Sequence, residues 1–306
     1  MSTELVLSAD QQTVKNTVAA WLDSDQQTLS FGGYAGTGKT TLIKHILEDP
    51  EFLIDNPIVC AFTGKAASVL RAKGVADAGT IHSFIYNVYQ DDQGNLRSVL
   101  KDPASIPGEL FIVDEASMVS TPIFRDLLSL ERKILWVGDH GQLEPVGDNP
   151  NIMADPQIKL EQIHRQAQGN PIIRFAHIAR QGIACLQDVS FTDDDDNEHI
   201  RLHSAKDISP GEVIEEAATD DARTFPQVIV AFNQFRVEIN KAIREELFDT
   251  TANAPLVGDR IICLRNNHTL GIYNGEIGYV LNVAEESTSR GFKHYYLSID
   301  FSGRIL

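Results

Sequence analysis

Apolar residues fall along this chain in short unbroken runs, separated by stretches in which they recur every three or four positions. The runs are LSF (29–31), IVCAFT (58–63), ELFIVDE (109–115) and KILWVGD (133–139). The stretches between them read as helices. In LSADQQTVKNTVAAWL, Ser8 stands three residues before Gln11 as in a capping box, and Val14, Val18, Ala19 and Leu22 recur at helical spacing. A second helix is predicted from about Lys39, and a third in GKAASVLRAKG, ended by Gly74. Strands apolar on both faces and alternating with helices predict an α/β fold with a parallel sheet covered on both sides.

After Val146 the texture changes. NPIIRFAHIARQG (170–182) is predicted helical, and FTDDDDNEH (191–199) reads as an acidic surface loop whose run from Asp193 to Asp196 is simply solvated. QVIVAF (227–232) is a further buried-strand candidate, followed by a long helix in NQFRVEINKAIREELF (233–248). From Gly258 onward come short strands with turn signals: DRIICLRN, IYNGEIGYVLNV and KHYYLSIDF. Asn274 followed by Gly275 is a hairpin signal, so this tail is predicted to be a small antiparallel module. No internal repeat is visible.

Composition narrows the classes. At 306 residues, 42% hydrophobic and 23% charged, the chain has room for one large or two medium domains with ample core. No apolar run approaches the roughly 20 residues of a membrane span, and the N-terminus lacks the basic-then-apolar pattern of a signal peptide. Cys60, Cys185 and Cys263 are odd in number and widely spaced, which argues for a reducing, cytoplasmic setting and against a zinc site or disulfide framework. The net charge of -17 makes the whole chain a poor polyanion binder, so any nucleic-acid role needs a local groove.

Candidate chemistry starts at GYAGTGKT (33–40), which fits GxxxxGK[ST] at Gly33, Gly38, Lys39 and Thr40 and lies between a predicted strand and a predicted helix. Glycines there let backbone N–H groups converge on phosphate oxygens, and the helix N-terminus adds partial positive charge. Lys39 suits the outer phosphates of a nucleoside triphosphate and the Thr40 hydroxyl suits Mg²⁺, with Gly36, Thr37 and Thr41 completing the cradle. Asp114 and Glu115 end a strand, where the ligand crevice of such sheets opens. Asp114 suits the metal shell and Glu115 a general base for water. In VGDHGQLEPVG, a strand ending at Gly138 and Asp139 delivers Gln142, whose amide suits a terminal phosphate or its attacking water. In LEQIHRQAQGNP, Arg165 is placed to stabilise charge on a transferring phosphoryl group.

These clusters together resemble the helicases of superfamily 1, in particular the RecD-like and Dda-like branch of bacteria and their phages. GYAGTGKTT is similar to its motif I, AFTGKAA to motif Ia, GTIHSF to the adjoining DNA-contact motif, FIVDEASMV to motif II, WVGDHGQLEPV to motif III and LEQIHRQ to motif IV. LSADQQ resembles the segment before motif I, which implies that Gln11 recognises adenine. The resemblance implies two RecA-like parallel-sheet lobes, the second incomplete, with an SH3-like β module at the end. Boundaries follow at 1–149, 150–256 and 257–306, with 84–107 in the place of a strand-separating pin. It further implies ATP and Mg²⁺ between the lobes, 5′ to 3′ movement on single-stranded DNA, and DNA contacts by Thr63, Gly64, Lys65, Thr80, His82 and Ser83. Hydroxyls and backbone amides suit that task, because phosphate contacts position a strand without reading its sequence. By their own chemistry Thr63 suits a helix cap equally well, and His82 an ordinary structural histidine. In the pin region Asp92 to Asn95 form a fair turn flanked by Tyr86 and Tyr89, with Tyr86 the candidate base-stacking residue.

One departure stands out. The family carries, after the SH3-like insertion, a late motif with a histidine, a Gln-Gly pair and an arginine reaching the ATP, and no such motif precedes Leu306. The expected function is an ATP-dependent DNA helicase or translocase, monomeric, acting in DNA replication, repair or recombination beside single-strand-binding or replication proteins. Two alternatives stay open: an ATP-switched single-stranded DNA-binding module with little turnover, and an RNA-directed P-loop NTPase.

Overall fold

The computed structural model describes residues 7–52, 54–91, 96–142, 147–162, 171–180, 191–192, 198–200, 209–218, 227–264, 267, 270, 272, 275–287, 293–301 and 303–306. The chain divides into two compact units, one of residues 1–184 with 191–200 and the other of residues 185–190 with 201–306. The first opens with α1 (Ala9–Leu22), β1 (Thr28–Gly33), α2 (Lys39–Glu48), β2 (Ile58–Ala61), α3 (Gly64–Ala72), β3 (Gly79–Thr80) and the short α4 (Ile81–Ile85). A hairpin of β4 (Tyr86–Gln90) and β5 (Leu96–Leu100) follows, then β6 (Leu110–Asp114), α5 (Thr121–Ser129), β7 (Lys133–Gly138) and β8 (Ile158–Leu160). Beyond these lie α6 (Pro171–Arg180) and the antiparallel pair β9 (Phe191–Thr192) and β10 (Glu198–Ile200).

Six strands form one parallel sheet in the order β3-β2-β6-β7-β1-β8. Because β8 pairs with β1, this unit extends past residue 149. Alternation along each strand sends side chains to two cores. Leu110, Ile112, Leu135 and Val137 meet α1, α2 and α3 through Val14, Val18, Leu42, Ile43 and Leu70. Phe111, Val113, Ile134 and Trp136 meet Ile81 and Ile85 of α4 and Ile123 and Leu127 of α5. Burial on both faces is why these strands read as unbroken apolar runs.

The helix boundaries follow from local chemistry. Ser8 and Gln11 form the expected capping box on α1. The predicted stop after α3 is there too: Gly74 has φ +98, and Val75 N–H donates to Leu70 O at 3.1 Å.

The second unit holds α7 (Pro210–Ala217), α8 (Asn233–Phe248) and an antiparallel meander of β11 (Arg260–Ile262), β12 (Ile277–Ser287), β13 (Lys293–Phe301) and β14 (Arg304–Ile305). The expected antiparallel tail is therefore present, but Gly275 sits opposite Cys263, donating to Cys263 O at 2.8 Å, and the antiparallel bridge Asn267↔Ile272 lies beyond it, so the hairpin does not reverse at Asn274–Gly275. QVIVAF departs from expectation. Residues 227–232 are irregular rather than a buried strand, and Ile229 is 84% exposed. An apolar run becomes a buried strand only where flanking strands take up its N–H and C=O groups, and none pairs with it among the described residues. Asn274, Cys185 and the run from Asp193 to Asp196 lie outside the described residues. Among those described, no helix is long and apolar enough to cross a membrane.

Candidate functional site

The sheet gathers five of the sequence clusters along the C-terminal ends of its strands. Across that edge, in sheet order, Thr80 ends β3, Thr63 follows β2, Asp114 and Glu115 end β6, Asp139 follows β7, and the P-loop follows β1. Ligands of open α/β sheets bind at such an edge.

The P-loop turn is built from its glycines. Gly36 and Gly38 have φ of +82 and +80, in the left-handed region that a side chain disfavours. At Gly33 the constraint is space, since an added Cβ would lie 2.5 Å from Thr37 Oγ1 and 2.9 Å from Leu160 Cβ. Thr37 is buried and its hydroxyl donates to Tyr34 O at 2.8 Å. Lys39 Nζ curls over the loop and donates to Gly33 O at 2.6 Å and Tyr34 O at 3.2 Å. Thr40 is half-buried in the first turn of α2, beside Thr41. Gln11 comes to this loop from α1: its side-chain amide donates to Thr37 O at 3.1 Å and accepts from Ser8 N–H at 3.0 Å.

The acid pair sits opposite. Asp114 is buried, and desolvation pushes its carboxyl above the usual range, against the pull of Glu115 N–H and of the Lys39 and Lys73 charges. Glu115 takes the left-handed φ of +55, uncommon for a residue with a side chain and characteristic of functional sites. Burial, followed by the Asp114 charge, raises its carboxyl as well, while Lys39 and a hydrogen bond from Gln142 oppose the rise. A carboxyl raised toward neutrality is suited to take a proton.

Gln142 is thereby tied into the acid pair, and two residues that sequence reasoning did not single out hold it there. Ser117 Oγ donates to Gln142 Oε1 at 3.1 Å. Asp139, buried, orders the turn by accepting from Gly141 N–H at 2.8 Å, and Gln142 N–H donates to Asp139 O at 3.3 Å. Asp139 ends a run already marked as a strand, so its place was legible although its role was not. Asp10 left no signal. It accepts from Glu161 N–H and Gln162 N–H at 3.1 and 3.0 Å, fixing the start of the segment that leads to Arg165. Arg165 itself lies outside the described residues.

The other half of the edge is built differently. Thr63 caps α3, its hydroxyl oxygen accepting from Ala66 N–H at 3.1 Å, so the cap that its chemistry suits is present. Thr80 caps α4 in the same way, accepting from Ser83 N–H at 3.2 Å. A capping hydroxyl accepts through oxygen and retains its proton for another acceptor. Ser83 is the exception, since its hydroxyl donates to Thr80 O at 2.7 Å. Gly64 is buried as the first residue of α3, and Lys65 and His82 lie exposed beside these caps. Partial desolvation holds the His82 imidazole below its ordinary value. Tyr86 does not stand free to stack on a base. It is half-buried, its hydroxyl donates to Asp126 on α5, and its ring packs against His82 at 5.3 Å between centroids. The turn expected from Asp92 to Asn95 lies outside the described residues.

For metal, the donor set matters. Among the described residues no three His, Cys, Asp or Glu side chains group into a cage. Thr40 and Asp114 offer two hard oxygens, and Mg²⁺ is commonly held by one or two protein oxygens with phosphate and water filling the rest.

A family model described as an AAA domain matches residues 6–204. The chain belongs to that family. It is 35% identical over 178 residues to the ATP-dependent RecD2 DNA helicase of Deinococcus radiodurans, covering 56% of this chain and 23% of that protein. It is 30% identical over 193 residues to the ATP-dependent DNA helicase dda of Enterobacteria phage T4, covering 58% of this chain and 43% of that protein. The chain thus spans less than half the length of either relative. A solved structure described as the basis for DNA unwinding at forked double-stranded DNA by two coordinating Pif1 helicases shares the fold. There the TM-score is 0.50 at 21% identity, over 96% of this chain and 76% of that one.

Proposed function

We propose that the chain carries the ATP-hydrolysing core of a DNA helicase or translocase that moves 5′ to 3′ along single-stranded DNA. The observation that carries this reading is the convergence, at one sheet edge, of Lys39 in the P-loop with the acid pair Asp114 and Glu115, where Gln142 hydrogen-bonds Glu115. In this reading Lys39 exchanges the carbonyls of Gly33 and Tyr34 for phosphate oxygens, and backbone N–H groups of the loop, residues 36–41, hold the remainder. Glu115 accepts the proton of the attacking water, and Gln142 orients that water while limiting the motion of the carboxylate. Thr40 and Asp114 are the residues that would hold Mg²⁺, which supplies neutralising charge to the phosphates when bound. Gln11, beside Thr37, is assigned to the adenine end, and Arg165 to charge on the transferring group.

Thr63, Gly64, Lys65, Thr80, His82 and Ser83 form the row assigned to single-stranded DNA. Hydroxyl and backbone donors beside a single lysine suit a chain of net charge -17, since they engage phosphates without a global positive field. A division near 256 and the insert at 84–107 belong to the same proposal, with the first lobe running past the expected 149 through β8.

The test is Mg²⁺-dependent ATP hydrolysis by the 306-residue chain, alone, with single-stranded DNA and with single-stranded RNA. Stimulation by DNA above that by RNA is expected. Nucleotide binding without stimulated turnover would replace the motor by an ATP-switched binding module, and equal stimulation by RNA would remove the DNA assignment.

A further inference from the structure

The β4–β5 hairpin depends on its base. It pairs from Tyr86↔Leu100 to Gln90↔Leu96 and forms a two-stranded sheet of its own. Beyond the first rung the described side chains Asn87, Val88, Tyr89, Gln90, Arg97, Ser98 and Val99 are all exposed. A two-stranded hairpin with so little burial is marginal in water, so its direction is set where it joins the domain.

Several contacts act at that junction. Tyr86 and Leu100 pack against the core between the sheet and α5. Lys101 N–H donates to Ile85 O at 2.8 Å and Lys101 Nζ to Ser83 O at 2.9 Å, both returning to α4, from which the hairpin springs. The Tyr86 hydroxyl reaches a different element, donating to the carboxylate of Asp126 on α5. Apolar packing resists separation but tolerates rotation, whereas a charge-assisted hydrogen bond fixes direction. The phenol is correspondingly held well above its ordinary value by burial and by that carboxylate. α5 also follows Glu115 by a single three-residue helical turn, so the bond ties the hairpin to the element leaving the acid pair.

Register shows what this orientation controls. Tyr86, Val88 and Leu100 share one face of the hairpin, and Asn87, Tyr89, Arg97 and Val99 share the other. Fixing Tyr86 to α5 turns the second face away from that helix. An aromatic ring and an aliphatic side chain on one exposed face, with the Arg97 guanidinium held beside them by its 2.9 Å pairing to Asp91, suit the planes of unpaired bases.

We propose that the Tyr86–Asp126 hydrogen bond is a latch that holds the β4–β5 hairpin against α5, and that both are positioning residues for splitting a nucleic-acid duplex on the Tyr89, Arg97 and Val99 face. The proposal rests on the helicase reading above. Its test uses Tyr86→Phe, which removes the hydroxyl and keeps the ring, with Asp126→Ala and Asp126→Asn. Amide hydrogen exchange in residues 86–90 and 96–100 should quicken about tenfold in Tyr86→Phe and Asp126→Ala, with β6 and β7 unchanged. Asp126→Asn should fall between the parent and Asp126→Ala, because its amide oxygen still accepts the phenol proton but without the carboxylate's charge. Unwinding of a forked duplex should fall about fivefold in the first two variants, at unchanged single-stranded-DNA-stimulated hydrolysis, and the double variant should be no worse than either single one. Unchanged exchange in Tyr86→Phe overturns the latch. Equal losses of hydrolysis and unwinding overturn the positioning role. A parent chain without DNA-stimulated hydrolysis would sink the helicase reading instead, and exchange in the hairpin would still decide the latch.

Discussion

The two halves of one sheet edge use polar residues in opposite ways. Beyond β6 and β7, Asp114 and Asp139 are buried, Glu115 is held in an uncommon backbone conformation, and Gln142 is tied to Glu115 and Ser117. Beyond β2 and β3, Thr63 and Thr80 perform the ordinary work of capping helices, with Lys65 and His82 exposed beside them. The first half keeps raised carboxyls in a desolvated pocket, an arrangement that favours proton transfer. The second uses hydroxyl oxygens as helix caps, that of Thr63 half-buried and that of Thr80 buried, each retaining a proton for a further acceptor.

The contrast predicts a graded set of effects. Glu115→Gln should lower stimulated hydrolysis at least about a hundredfold while nucleotide binding persists, as expected for a general base. Unchanged turnover in that variant would remove the distinction between the halves. Gly33→Ala places a methyl group against Thr37 Oγ1 and Leu160 Cβ, so overpacking should cost about 1–3 kcal/mol of stability and weaken nucleotide binding. A thermal melt that does not move would show that Thr37 can give way. The smallest change is expected at Thr63→Ala, where loss of the cap should cost about 1 kcal/mol. If its proton also meets DNA, single-stranded binding should weaken about fivefold while unstimulated hydrolysis holds. Thr63→Ser keeps the hydroxyl and should restore both. A variant that melts early but binds DNA normally would leave Thr63 a cap and nothing more.

Much of this edge was legible beforehand, for identifiable reasons. The P-loop announces itself because its glycines are required by backbone geometry at fixed spacing. The strands carrying Asp114 and Gly138 announce themselves because both of their faces are buried. IVCAFT and QVIVAF look alike as strings, yet one pairs with β3 and β6 and the other is irregular, with Ile229 84% exposed. A buried strand is a relation between neighbours, and a run of apolar residues states only half of it. Tyr86 shows the same limit. Its aromatic character pointed to base stacking, but its partner Asp126 is 40 residues away and only folding brings the two together.

The sequence by itself determined what local geometry and alternation can encode: the phosphate loop, the capping box on α1, the glycine stop after α3, and which segments line a two-sided core. The tertiary structure decided what depends on pairing across distance. It sorted Thr80, Thr63, Asp114, Asp139 and the P-loop into spatial order along one edge, although they occur in the chain in another. It also placed Ser117 and Asp139 around Gln142, and Asp10 on the backbone of Glu161 and Gln162. Spacing along a strand or helix is fixed by its period, whereas meetings between elements are fixed by sheet order, which no single segment carries.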